Sequence, residues 1–228
     1  MIANKKEFFG GAGLLIVFLV VLVVIFSPVF NGKNGLEYLD ALYNSISKGS
    51  AYYIPKVMEE SDRFTGDAVA VTLAMKNDEQ AQQTVPLFMK AGAMVNTSSA
   101  ELGVSGDLGN ILANCLADAD DMFANDGSKV ADKYGYDEKR VLYNWWKALK
   151  LMDKDLKKQQ KFKEAKMVAL VGKKAVECSY NYYKIEPQKI SDRIGIVVFS
   201  LVFYVVYTLW YGFAIMFMFE GWGMKLEH

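Results

Sequence analysis

From Ile194 to Phe219 the chain reads IGIVVFSLVFYVVYTLWYGFAIMFMF, 26 residues without a charge. A helix rises about 1.5 Å per residue, so this run exceeds the roughly 20 residues that cross a bilayer. A second apolar run, Phe8 to Phe30, opens the chain. The expected layout is a short tail (1–7), a first span (8–30), a middle domain (31–193), a second span (194–219) and a tail (220–225). The terminal Leu226-Glu227-His228 reads as the remnant of a cloning site and tag. The fold class expected is a mostly α membrane protein. Two transmembrane helices flank a helical soluble domain that ends in a long helix.

The first run is long, and Ile25-Phe26-Ser27-Pro28 has no pair of small residues for cleavage. It therefore reads as an uncleaved anchor and not a signal peptide. Lys5 and Lys6 place the N-terminus in the cytoplasm by the positive-inside tendency. Two spans return the C-terminus, with Lys225, to the same side, so the middle domain is expected outside.

The only histidine is His228, in the tag-like tripeptide. Without it, Ser-His-Asp and Cys-His catalysis, His-ligated haem and His-containing zinc sites are excluded. Cys115 and Cys178 make no CxxC pair, which excludes thiolate clusters. They lie on apolar faces of two helices; an outside domain permits a disulfide between them, and two buried free thiols are the equal alternative. Twenty-six basic and 26 acidic residues cancel, so no global field points to nucleic acid. No cofactor, no metal and no enzymatic activity are expected.

Within the middle domain, Asn31 to Gly35 reads as a linker. Leu36, Leu39, Tyr43 and Ile46 mark a short amphipathic helix. Pro55 opens a second helix reaching about Phe64, and Thr65-Gly66-Asp67 is a turn. Val69, Val71, Leu73 and Met75 alternate with small residues, which argues for a strand, although the alanines would also suit a buried helix. Ala93 to Val104 is its candidate partner, giving a small two-stranded element within residues 67–104. Between them Asn77 and Gln80 form a helix start, and Pro86 should kink or shorten that helix. GVSGDLG, around Asp107, could cradle phosphate, but it matches neither GxGxxG nor a P-loop. It reads as a turn with Asp107 capping the next helix.

That helix runs from about Leu108 to Ala124, with Ile111, Leu112, Cys115, Leu116, Ala119, Met122 and Phe123 on one face. Asp118, Asp120 and Asp121 fail the EF-hand spacing and read as solvated surface. Asp137 caps a long helix of about 45 residues, with a seam of Leu142, Trp145, Leu149, Met152 and Leu156 that resumes at Val168 and is bent near Gly172. Glu186-Pro187 ends it.

Charge is unevenly spread. Residues 31–126 carry 6 basic and 14 acidic side chains, a net of −8; residues 127–193 carry 17 and 9, a net of +8. Either the halves pack against each other, or Lys147, Lys150, Lys154, Lys157, Lys158 and Lys161 dock an acidic partner or anionic lipid. The aromatic residues of the domain, Tyr52, Tyr53, Tyr134, Tyr136, Tyr143, Trp145, Trp146, Tyr180, Tyr182 and Tyr183, could line a pocket for a cationic or aromatic ligand or fill the core.

In the second span, Ser200, Tyr204, Tyr207 and Tyr211 recur at i, i+4, i+7 and i+11, with Thr208 on the flank. They share one narrow stripe. A phenol hydroxyl in hydrocarbon needs a hydrogen-bond partner, and Leu14 to Phe26 has no polar side chain to offer. The stripe is expected to face a copy of itself, a backbone carbonyl or another membrane protein, or else to bond locally. The expected surroundings are lipid and a second copy or membrane partner, with no nucleic acid. In layout the chain is similar to the input half of bacterial chemoreceptors and sensor kinases. It carries no output module after the second span, so a scaffold or accessory role is expected first and a ligand-sensing role second.

Overall fold

The computed structural model describes residues 2–224; Met1, Lys225 and the tag-like 226–228 lie outside the described residues. The chain divides into two compact units, Met1–Gly49 with Pro187–His228, and Ser50–Glu186.

The first unit is built on α1 (Lys5–Phe26), α2 (Gly35–Ser50) and α10 (Ile190–Trp222). Both α1 and α10 are long and apolar enough to cross a membrane. Asn4 caps α1, its Oδ1 accepting from the Lys6 and Glu7 amides at 3.1 and 3.4 Å. The helix stops at Ser27, earlier than the run of apolar residues, because a residue before proline is pushed to extended backbone. Asn31 and Gly32 both take positive φ, and Phe30 and Lys33 exchange backbone hydrogen bonds at 3.0 Å. The expected linker is thus a tight Asn-Gly reverse turn. Asn34 and Glu37 then cap α2 reciprocally, at 2.9 and 3.0 Å.

In the first unit, α1 and α10 pair antiparallel: Phe18 stacks on Tyr207 with ring centroids 4.2 Å apart, and the Asn4 amide donates to Gly221 O at 2.9 Å. Glycine permits this approach. A Cβ on Gly11 would sit 2.7 Å from Ala214 O, and one on Gly221 would strike the Phe8 backbone.

The second unit starts with α3 (Ile54–Ser61) and contains β1 (Ala68–Ala74), α4 (Asp78–Lys90), β2 (Met94–Ser98) and β3 (Glu101–Asp107). The strands form an antiparallel sheet in the order β1-β3-β2, with Val71 opposite Val104 and Leu73 opposite Leu102. It has three strands where two are expected, because the segment 93–104 folds back on itself at Ser99 and supplies both β2 and β3. Val69, Val71, Leu73, Leu102 and Val104 turn inward. Despite Pro86, α4 continues to Lys90, and Tyr136 Oη donates to Gln83 O beside it at 2.8 Å.

Six helical segments follow in this unit's second half: α5 (Leu108–Phe123), α6 (Gly127–Tyr134), α7 (Glu138–Lys158), α8 (Phe162–Val171), a π-helical turn (Gly172–Val176) and α9 (Glu177–Tyr182). Asp107 caps α5, accepting from the Asn110 amide at 2.9 Å. Gly109 is needed there, since a Cβ would lie 2.6 Å from Thr65 Cα. The single 45-residue helix is not formed. The chain reverses at Gln160, which takes φ +61°, and the Lys161 amide bonds back to Leu156 O at 2.9 Å. No proline or glycine marks the break. Leu149, Met152 and Leu156 of α7 are buried together with Ala165, Val168 and Val171 of α8, so one apolar seam closes on the other. Near Gly172, where a bend is expected, the helix widens into the π turn. Trp145, Phe88, Ile111, Leu112, Cys115, Leu116 and Met122 lie at the centre of the core.

Candidate functional site

Two surfaces and one interior network carry the polar and aromatic residues of interest. The first surface is on α10. The tyrosine stripe splits lengthwise. Ser200 and Tyr207 turn toward their own unit: Ser200 Oγ lies 2.6 Å from Tyr43 Oη, and Tyr207 Oη donates to Phe18 O at 3.3 Å. A backbone carbonyl therefore serves where α1 has no polar side chain. Thr208 bonds locally, to Tyr204 O and Val205 O, both at 2.9 Å. Tyr204 is 67 % exposed and Tyr211 46 %, and neither hydroxyl has a hydrogen-bond partner among the described residues. The Tyr211 ring rests against Phe18, with centroids 5.1 Å apart. The helical wheel explains the split, since Tyr204 and Thr208 are rotated away from the Ser200 and Tyr207 edge by tens of degrees.

The second surface is a groove of about 270 Å³ between α7 and the π turn with α9, lined by Leu142, Tyr143, Trp146, Val176, Glu177 and Tyr180. Tyr143 and Trp146 stand with ring centroids 5.9 Å apart. Their spacing on α7, three residues, puts both on the flank of the Leu142–Trp145–Leu149 seam. Four cations stand over these rings: Arg140 on Tyr143 at 5.4 Å, Lys139 on Tyr180 at 5.5 Å, and Lys147 and Lys150 on Trp146 at 5.2 and 5.0 Å. The periodic seam of α7 was legible in the sequence; the groove was not, because α9 forms its other wall.

The six lysines of the candidate docking surface have different surroundings. Lys147 and Lys150 belong to this groove. Lys157 and Lys158 face Asp153 and Asp155 of their own helix, at 2.7 and 4.0 Å. Lys161 Nζ donates to Ala68 O at 3.0 Å, and Lys154 is exposed.

The interior network centres on Asp118, which is 1 % exposed and so is not the solvated surface residue expected. Its carboxylate accepts from Lys133 Nζ at 2.6 Å, Tyr134 Oη at 2.6 Å and Trp145 Nε1 at 2.8 Å. Three donors from α6 and α7 cover it, which is how a carboxylate is accommodated in a core. Burial and the adjacent Asp118 push the Tyr134 phenol up. Spacing could have revealed this: Asp118 falls three residues after Cys115 and four before Met122, on the apolar stripe itself. Asp120 instead accepts from Tyr52 Oη at 2.7 Å, and Asp121 faces Lys129 at 3.5 Å.

Of the two alternatives for Cys115 and Cys178, a bridge or free thiols, the structure has free thiols. Cys115 is fully buried in the core, whereas Cys178 Sγ points to Ala51 O at 3.3 Å. Among the described residues no group of His, Cys, Asp and Glu could hold a metal ion. Ion pairs join the acidic and basic halves at Asp118–Lys133, Asp121–Lys129 and Asp126–Lys129.

No protein-family model, curated protein or solved structure matches this chain.

Proposed function

We propose that this chain is a non-enzymatic, membrane-anchored scaffold or accessory subunit that works by assembly. In this reading α1 and α10 cross the bilayer as a pair, both termini are cytoplasmic and the 50–186 unit lies outside. The observation that carries it is the pair of unpartnered hydroxyls on the outer edge of α10, Tyr204 and Tyr211. A phenol hydroxyl in hydrocarbon without a partner costs a few kcal/mol, about 2–7 depending on the reference state, so these two favour a protein neighbour over lipid. The neighbour is a second copy, whose α10 offers the same hydroxyls and rings.

The test is the mass of the detergent-solubilised chain by light scattering with detergent subtraction, for wild type and for Tyr204→Phe/Tyr211→Phe. A defined oligomer that the double variant dissociates supports the reading. A mass unchanged by the substitution, or a wild-type monomer, removes self-assembly through this edge.

The groove between α7 and α9 favours a second reading, a ligand-sensing outer domain that signals through a partner. An aromatic cleft with a few convergent charges is the usual form of a small-molecule site.

A further inference from the structure

We infer that the α7–α9 groove binds a small organic anion with a flat aromatic body, such as an aryl carboxylate. The inference rests on the reading of this unit as ligand-binding and adds the chemistry of the ligand.

Shape comes first. Leu142 and Val176 are fully buried and make an apolar floor. Tyr143, Trp146 and Tyr180 make the walls, and a planar ring between them gains stacking and edge contacts. About 270 Å³ is at the small end of ligand sites, enough for one or two fused rings and too small for a polymer.

Charge decides the sign. Lys139, Arg140, Lys147 and Lys150 surround the groove, and none of them forms an ion pair among the described residues. Arg140 is held in place by a neutral acceptor, Gln83 Oε1, at 2.9 Å. Glu177 is the one carboxylate in the lining. Four cations thus lie on the rings of an apolar cleft whose lining holds a single carboxylate. An aromatic cation would compete with lysines already lying on the rings, whereas an anion would accept hydrogen bonds from them as its ring enters. The π turn supports the geometry. The turn, Gly172–Val176, itself supplies Val176 and leads directly into Glu177 and Tyr180, and single π turns are frequent at functional sites.

The test uses the full chain in phosphatidylcholine nanodiscs, with empty discs subtracted. Equilibrium dialysis compares 2-naphthoate with 2-naphthylmethylammonium, the same ring carrying opposite charge. We expect saturable binding of one naphthoate per chain, at least about tenfold tighter than the ammonium. Lys147→Gln/Lys150→Gln should weaken naphthoate about fivefold to tenfold, as two solvent-accessible charges allow, and Glu177→Gln should tighten it about twofold. Lys150 and Glu177 are exposed and Lys147 is half-buried, and near-UV circular dichroism checks that the fold is kept. Saturable binding of neither probe overturns both the ligand-binding reading and this inference. Equal or tighter binding of the ammonium, or naphthoate binding unchanged in the lysine variant, overturns the anionic class alone. Loss of naphthoate binding in discs containing phosphatidylglycerol overturns the small-molecule assignment in favour of a lipid headgroup.

Discussion

The indole Nε1 of Trp145 donates to Asp118 Oδ2 at 2.8 Å, inside a core where both residues are fully buried. Three donors hold one carboxylate there. Removing the carboxylate leaves Tyr134 and Trp145 without their acceptor and Lys133 with Asn114 Oδ1 alone, at 2.6 Å. Asp118→Ala should lower stability by about 3–5 kcal/mol, the usual result of breaking a buried charged network. Trp145→Phe removes one donor and should lose about 1–3 kcal/mol. Urea unfolding of the full chain in detergent, followed by near-UV circular dichroism, measures both. An Asp118→Ala loss below 1 kcal/mol would show that the network does not hold α5, α6 and α7 together.

Alkaline pH should weaken the same region. Burial holds the Tyr136 phenol protonated, pushed up to about 12, and Tyr134 is shifted in the same direction by burial and by Asp118. The folded state keeps these protons while the unfolded chain releases them near pH 10, so the stabilisation is complete below that and declines as pH rises toward 12. Urea midpoints should agree from about pH 6 to 7.5, decline slightly near pH 9 as the unfolded chain's thiols ionise while the buried Cys115 does not, and fall further between about 10 and 12. A flat profile across that window would contradict the assignment.

The two thiols should differ in reactivity. Cys115 is fully buried and its thiol is pushed well up by that burial, while Cys178 is half-buried and raised less, also by burial. The thiolate is the reactive form. A thiol reagent should label Cys178 first, slowly compared with a free thiol, and Cys115 only in denaturant. Mass spectrometry counting no label before reduction would instead reveal a bridge.

Gly11 should be intolerant of a side chain and Gly10 tolerant. A Cβ on Gly11 would meet Ala214 O at 2.7 Å, whereas nothing lies within 4 Å of one on Gly10. Cysteines placed at Phe18 and Tyr207, whose rings stack at 4.2 Å, report the pairing of α1 with α10 by oxidative crosslinking. Gly11→Val should cut the yield severalfold and Gly10→Val should leave it unchanged. Equal yields would mean that the pairing does not depend on the close approach.

Gln160 adopts φ +61° at the reversal between α7 and α8. A residue with a Cβ is disfavoured there by about 1–2 kcal/mol, and glycine is not. Gln160→Gly should therefore stabilise the chain by a fraction of that, about 0.5–1 kcal/mol after the added freedom of the unfolded chain is counted. A decrease in the urea midpoint would place the favourable interactions of this turn in the glutamine side chain.

What the sequence determined by itself was local. Two apolar runs were legible because length and lack of charge suffice to identify helices able to span a membrane. The amphipathic faces of α5 and α7 followed from a period of about 3.6 residues, and the caps at Asn77, Asp107 and Asp137 from side chains that bond amides three residues away. Tertiary structure decided the rest, for one physical reason: the partners are remote in the chain. Nothing between Lys157 and Lys163 breaks a helix, yet α8 folds back because its apolar face is buried with that of α7. Asp118 is buried because Lys133, Tyr134 and Trp145, 15 to 27 residues on, reach it. Tyr207 parts company with Tyr204 because Phe18, 189 residues earlier, offers its carbonyl and ring to one and not the other. Local periodicity says which residues share a face; only the packing of distant segments says what that face meets.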